Sequence, residues 1–432
     1  MTIATRAPHG PGPDIRPRSA VSTGVGLAGM AGLGLWLAAA IRWGMDGPYA
    51  AMSAVIACGV PMILWSLLID RVHRNPTTGI DWSAPPRPWR ESLDVSIVKL
   101  VGLWATWGVI AAFYFVGRWY WQGQYLFAMA VLQGLVPWLV ALSVPYVLWL
   151  DRKLVEPRDG AWHFGLMLLG RGALADRARI VEHARSWAVK GFFTAFMISI
   201  VPGNWMDVVQ RSLPSLSNPA ALASWLIAVM FLIDVAFATV GYLLTMRPLD
   251  SHIRSANPYA AGWTAALICY PPFILMNAGG PLDYHSGGAE WGYWFEGSPR
   301  ILGAIGLVLA ALTAVYAWAT VAFGLRFSNL THRGILTHGP YALTKHPAYL
   351  AKNVFWWISS LPMLTTTNSW SDAVRNTAIL AAVSGVYYWR ARTEERHLSA
   401  DPDYVAYAAW ARDHAPVPRF FGWLGRGLGL AR

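Results

Sequence analysis

His338-Gly339-Pro340-Tyr341, followed closely by His346-Pro347, sets two imidazoles, a phenol and two rigid prolines on one short polar loop. An acidic pair, Glu394-Glu395, follows about one helical hairpin later. Imidazole and carboxylate brought to a single interface can bind the amino and hydroxyl groups of an adenosine-bearing cofactor. Pro340 and Pro347 stiffen the loop and remove two backbone donors, while Gly339 permits close backbone approach. A structural reading competes with this one. Tyr and His anchor many membrane surfaces, and Glu395 can simply hold an exit helix against Arg392.

The elements that carry these residues are set by composition. Of 432 residues, 55% are hydrophobic and 13% are charged, whereas soluble domains carry about a quarter charged residues. Apolar runs of roughly twenty residues recur, the length of a bilayer crossing. The expected fold is therefore an all-α, polytopic membrane bundle. Ten spans are expected, near 21–43, 49–69, 94–117, 125–150, 189–209, 221–246, 259–280, 301–325, 349–366 and 371–390. Loops on one side hold 26 Lys and Arg, and those on the other hold Arg42, Arg118, Arg211 and Arg300. That asymmetry predicts both termini, the motif loop and the Glu pair on the cytosolic side. The net charge of +11 then reflects loops facing anionic lipid rather than nucleic acid. No short apolar core with a small-residue cleavage site marks a signal peptide.

The hairpin has a geometric consequence. Spans 349–366 and 371–390 are joined by the polar turn Thr367-Asn368-Ser369, and at about 1.5 Å per residue they are of similar length. Their outer ends return to one face, so His346 at the entrance and Glu394 at the exit become spatial neighbours.

Gly339-Pro340-Tyr341, Lys345-His346-Pro347-x-Tyr349-Leu350, Glu394-Glu395-x-x-Leu398 and Tyr404-x-x-Tyr407 ahead of Pro416 and Pro418 together resemble the isoprenylcysteine carboxyl methyltransferase and phospholipid methyltransferase superfamily. The resemblance covers about residues 300–425. It implies an integral-membrane enzyme using S-adenosylmethionine. It also implies cofactor contacts at Gly339, Pro340, Tyr341, Lys345, His346, Pro347, Tyr349, Leu350, Glu394 and Glu395, with Gly339, Pro340 and Tyr341 shaping the loop wall. Glu395 is the candidate for a chemical role, needed only if the acceptor must lose a proton. Two departures stand out. Lys345 replaces the family's usual Arg, keeping the charge and losing the bidentate fork. Ala351-Lys352-Asn353 stands where the family commonly has Gly.

Other residues carry weaker signals. Asp234 lies mid-span, where an ionisable group is costly and marks a polar site by default. It is a candidate for substrate binding, with pairing to another span, for example Lys99, as the alternative. Pro202-Gly203-Asn204 and Pro271-Pro272 are expected to interrupt their helices and line a cavity. His332, His338 and His346 lack metal-ligand spacing, so no metal is expected. Cys58 and Cys269 read as ordinary buried thiols. Asn329-Leu330-Thr331 matches a glycosylation sequon, but its expected cytosolic side argues against use. The abundant Trp residues suit interfacial belts. The 151–188 loop should hold a short apolar segment packed at the interface or under the bundle, then a basic amphipathic surface helix near 171–190.

The expected organisation is a flexible basic tail over 1–20, a seven-span region over 21–290 and a methyltransferase-like core with its cytosolic tail over 291–432. The activity expected is methylation of a lipid or other hydrophobic acceptor, with the cofactor entering from the cytosol and the acceptor from the bilayer. The alternatives are an NADPH-dependent membrane reductase of the sterol reductase type and a non-catalytic transporter or binding protein. Oligomeric state is not legible.

Overall fold

A computed structural model of the chain describes residues 16–211, 214 and 218–427. The expected tail of residues 1–20 lies outside the described residues as far as residue 15. Among the described residues seven helices are long and apolar enough to cross a bilayer: Thr23–Trp43, Pro48–Ile69, Trp89–Val116, Tyr125–Asp151, Arg177–Val209, Ala220–Leu243 and Pro299–Arg326. The shortest has 21 residues, or about 31 Å at 1.5 Å per residue, which matches a hydrocarbon core of about 30 Å.

The three other expected spans take different forms. Helix Ala260–Leu267 stops after 8 residues, just ahead of Pro271-Pro272, where two successive ring nitrogens leave no N–H to donate. Helix Pro347–Ser360 runs for 14 residues. The stretch 371–390 sits inside Trp370–Leu398, 29 residues long, which Arg375, Asn376 and Arg390 keep out of the apolar set.

Two expectations for the middle of the chain are corrected. The basic stretch near 171–190 is no separate surface helix; it begins Arg177–Val209, which runs unbroken through Pro202. The Asp176 side chain caps its start by accepting from the Ala178 and Arg179 amides, and nothing between Lys190 and Gly191 breaks the helix. In the turn around Pro202, the Asn204 side-chain amide donates to the Ile200 carbonyl at 2.9 Å. The short helix Gly160–Leu168 packs directly on Trp89–Val116. A Cβ at Gly102 would lie 1.9 Å from the Ala161 carbonyl oxygen, and one at Gly165 would lie 2.0 Å from that of Val98. Only glycine allows the two backbones to touch there.

The core centres on Ala220–Leu243 against Pro299–Arg326, with Leu232, Phe237, Val240, Ala317 and Ala319 buried between their neighbours. One end of the bundle is tied by polar contacts among loops far apart in sequence. Asp250 accepts from Asn75 at 3.0 Å, from Thr77 and from the Arg326 guanidinium at 2.7 Å. Strand Ser255–Ala256 pairs antiparallel with Thr331–His332. The buried Arg333 guanidinium donates to the carbonyls of Gly241 at 2.9 Å, Phe327 at 2.7 Å and Leu325 at 2.8 Å, and also to Ser251. These carbonyls have no helical partners, so the five-donor guanidinium meets a fixed set of acceptors. The loops gathered at this end belong to the Lys- and Arg-rich set.

The N-terminal stretch joins the same end. The Ala20 amide donates to the Ile335 carbonyl at 2.9 Å, Thr337 donates its hydroxyl to the Pro17 carbonyl at 2.7 Å, and Ser19 meets the His338 imidazole at 2.7 Å. At the opposite end, Trp205 donates to the Met45 carbonyl at 2.9 Å and Asn376 to that of Ser286 at 2.8 Å.

Candidate functional site

Pro347 occupies the first turn of helix Pro347–Ser360, where its missing N–H costs nothing. The helix therefore starts immediately after His346, which fixes the imidazole at its mouth. The returning helix Trp370–Leu398 brings its last two turns alongside. Tyr349 donates its hydroxyl to Glu394 at 3.0 Å, and the His346 Nε2 lies 3.1 Å from Glu395. The two ring planes of His346 and Tyr349 are nearly parallel, 8° apart with centroids at 5.6 Å. The hairpin thus juxtaposes the loop and the acidic pair, although its helices differ in length, 14 residues against 29.

The two glutamates face different surroundings. Glu395 is held by Lys345, by His346 and by Arg392 at 2.6 Å, so both of its oxygens are engaged. Burial favours the protonated acid, but hydrogen bonds from His346 and Lys345 and their nearby charge outweigh it, holding the carboxyl at about 2. Such a group is a poor proton acceptor near neutrality. Among the described residues Glu394 has one bond, to Tyr349, and it lines a cavity of about 80 Å³. Ligand sites commonly measure about 300–1,000 Å³, so this cavity must widen to admit a cofactor.

Lys345, His346, Pro347, Tyr349 and Tyr341 line that cavity with Glu394. Gly339 and Pro340 lie outside it and shape the loop. Gly339 has φ of +58°, and a Cβ there would meet the Trp318 indole nitrogen at 3.1 Å. The Tyr407 hydroxyl donates to the Tyr341 carbonyl at 2.7 Å, so the Tyr-x-x-Tyr element pins the loop from below. Leu350 does not line the cavity. One residue on from Tyr349, it is turned about 100° around the helix and lies exposed, away from the cavity.

Several cavity residues carried no signal in the motif. Arg390 lies one helical turn before Glu394 and was findable from the i, i+4 rule. Its guanidinium donates to Asn329 at 2.6 Å and to the Tyr270 hydroxyl at 3.3 Å. Lys352 sits over the rings of Tyr316, Trp356 and Tyr387 at 5.1, 5.4 and 5.9 Å. Neither cation has a carboxylate within ion-pair distance among the described residues. Tyr270 arrives from a distant segment and could not be placed without the fold.

Asp234 is buried between two spans, accepting from Tyr316 at 2.8 Å and from Thr320. Tyr316 and Thr320 line the cavity. Pairing with Lys99 does not occur. Lys99 is taken by Asp151 and, at 3.1 Å, by Asp159, because the glycine contact holds Gly160–Leu168 against the lysine's own helix. The three histidines part company, with His332 facing Asp401 at 3.0 Å, His338 facing Ser19 and His346 facing Glu395. Cys58 and Cys269 are both free.

Residues 301–400 match the model of the isoprenylcysteine carboxyl methyltransferase family, which bears out the resemblance over the C-terminal region. No curated protein and no solved structure matches the chain. The match and the seven apolar helices together indicate a membrane methyltransferase.

Proposed function

We propose that this protein transfers the methyl group of S-adenosylmethionine to a lipid or other hydrophobic acceptor. The observation that carries the proposal is the convergence, inside the matched segment, of Lys345, His346 and Tyr349 from one helix mouth with Glu394 and Glu395 from the returning helix. The residues fit the cofactor's groups. Glu394 keeps acceptor capacity for ribose hydroxyls beyond its bond to Tyr349, and Arg390 and Lys352 offer uncommitted positive charge to an amino-acid carboxylate. The faces of Tyr316, Tyr349 and Tyr387 suit a sulfonium. When bound, the cofactor supplies an electrophilic methyl group.

What this chain adds is position. His346 and Tyr349 orient, Glu394 anchors, and the apolar wall excludes water, so that proximity does most of the work. Glu395 acts as the strut that fixes Lys345 and His346. A carboxylate acceptor needs no base, and we assign none. Asp234 holds Tyr316 and Thr320 in the wall on the substrate side. The charge asymmetry of the loops supports cofactor entry from the cytosol, and the surrounding apolar helices support entry of the acceptor from the bilayer.

A second reading rests on Lys352 and Arg390. Two cations without carboxylates also suit the phosphates of NADPH in a membrane reductase. Calorimetric titration of the detergent-purified protein with S-adenosylmethionine and with NADPH, repeated on His346→Ala, separates the two. Saturable S-adenosylmethionine binding that the variant loses is expected. Binding of NADPH alone overturns methyl transfer in favour of reduction, and binding of neither leaves a non-catalytic protein.

A further inference from the structure

A larger chamber lies outside the matched segment, among Trp89–Val116, Tyr125–Asp151, Arg177–Val209 and the loop after Leu243. It has a polar half of about 590 Å³ and an apolar half of about 460 Å³. His183 and Trp187 belong to both linings, so the two halves abut at these side chains. Each is within the size range of small-molecule sites. The apolar half presents Ile110, Phe113, Phe192, Trp263 and Phe273.

The charges of the polar half are unevenly matched. Five basic and three acidic residues line it. All three acids are already used. Asp151 and Asp159 take Lys99, Asp159 also caps its helix, and Glu182 accepts from the Ala256 amide. Lys190 is the cation left over. Among the described residues its ammonium makes no hydrogen bond or ion pair, and it rests 4.1 Å from the Trp187 ring centre. Three more wall residues have a buried polar atom without a partner: Thr245 at Oγ1, His252 at Nδ1 and Arg254 at Nε. Those three atoms are closed off from the chamber itself, so Lys190, on a wall with more basic than acidic residues, is the group left to meet an anionic ligand.

We propose that this chamber binds an amphiphile, its anionic phosphate or carboxylate head at Lys190 and its apolar tail along Phe113, Phe192 and Trp263. A free anion would satisfy the cations but leave the aromatic half empty. A zwitterionic lipid would bring its own cation to a wall that already has a surplus of positive charge. The assignment does not depend on the methyl-transfer reading, because the wall residues lie outside residues 301–400 and outside the cavity at Glu394.

The test is native mass spectrometry of the full chain in detergent, titrated with phosphatidic acid, phosphatidylcholine and glycerol 3-phosphate. Phosphatidic acid should occupy one saturable site at least tenfold more tightly than either other probe. Lys190→Gln should weaken it about tenfold, Lys190→Arg should restore it, and Ile110→Trp, which fills the apolar half, should weaken it with Lys190 intact. Thermal unfolding of each variant identifies any that is misfolded, and the lipid series on the wild-type protein stands without them. Equal binding of phosphatidylcholine, or an unchanged affinity in folded Lys190→Gln, overturns the proposal. Glycerol 3-phosphate binding as tightly as phosphatidic acid also overturns it, assigning the polar half to a free phosphate.

Discussion

Replacing Glu395 with Gln keeps the shape of the side chain and removes the charge that Lys345, His346 and Arg392 share. The carboxyl falls from an ordinary 4.5 to about 2 in the folded protein. At 1.36 kcal/mol per pH unit this corresponds to roughly 3 kcal/mol. Water reaches part of this network, with Arg392 well exposed, and screening brings the expected contribution down to about 1–2 kcal/mol. Because the folded value is the lower one, the stabilisation is fully present above about pH 4.5 and is lost as pH falls towards 2. By pH 3 about 60% of it is gone. The assay is thermal unfolding of both proteins in the same detergent at pH 7, 5 and 3. At pH 7 Glu395→Gln should melt about 1–2 °C lower, given an unfolding entropy of about 2.1 cal/mol/K per residue. The gap should narrow by more than half at pH 3. Coincident melting at all three values would refute the reasoning, since the depressed carboxyl would then carry no folding free energy. A gap that stays constant with pH would refute it too, assigning the loss to packing.

Glu394→Gln should weaken S-adenosylmethionine about tenfold or more in calorimetry, as loss of a charged hydrogen-bond acceptor does, with little change in melting temperature. Arg333→Met strands the carbonyls of Ser251, Gly241, Leu325 and Phe327 in a buried setting. It should cost about 3–5 kcal/mol, seen as loss of a monodisperse peak in size-exclusion chromatography, and Arg333→Lys should recover part of it. Gly339→Ala must take a left-handed conformation against Trp318. A cost of about 1–2 kcal/mol should appear as a lower melting temperature, with the affinity of any bound cofactor falling in parallel.

The candidate site was partly legible because its first half is local chemistry. Pro347 at a helix start and a returning second helix are enough to bring His346 and Tyr349 beside the Glu394-Glu395 pair. Leu350 falls outside the cavity because adjacency in a motif is not adjacency on a helix surface. Arg390 was present in the same periodic pattern and went unread because its partner, Asn329, belongs to a loop. Tyr270 and Lys352 depend on how a distant segment and three aromatic rings converge, which no single stretch encodes. In the fold, strongly apolar runs gave their helices reliably. The departures from ten long apolar helices fall where polarity and prolines compete with hydrophobicity, at 259–280, 349–366 and 371–390. At 171–204 a cap at Asp176 and a tolerant turn at Pro202 produced one long helix where composition alone suggested two.

The clasp between Ser19 and His338 also has a timetable. Its partners are 319 residues apart, and at about 5–20 residues per second a ribosome needs roughly 16–64 s to travel from one to the other. Throughout that interval the stretch from Pro17 to Ala20 has been made while the strand of loop it grips has not. A pause anywhere before His338 lengthens the time for which Ser19 has nothing to hold.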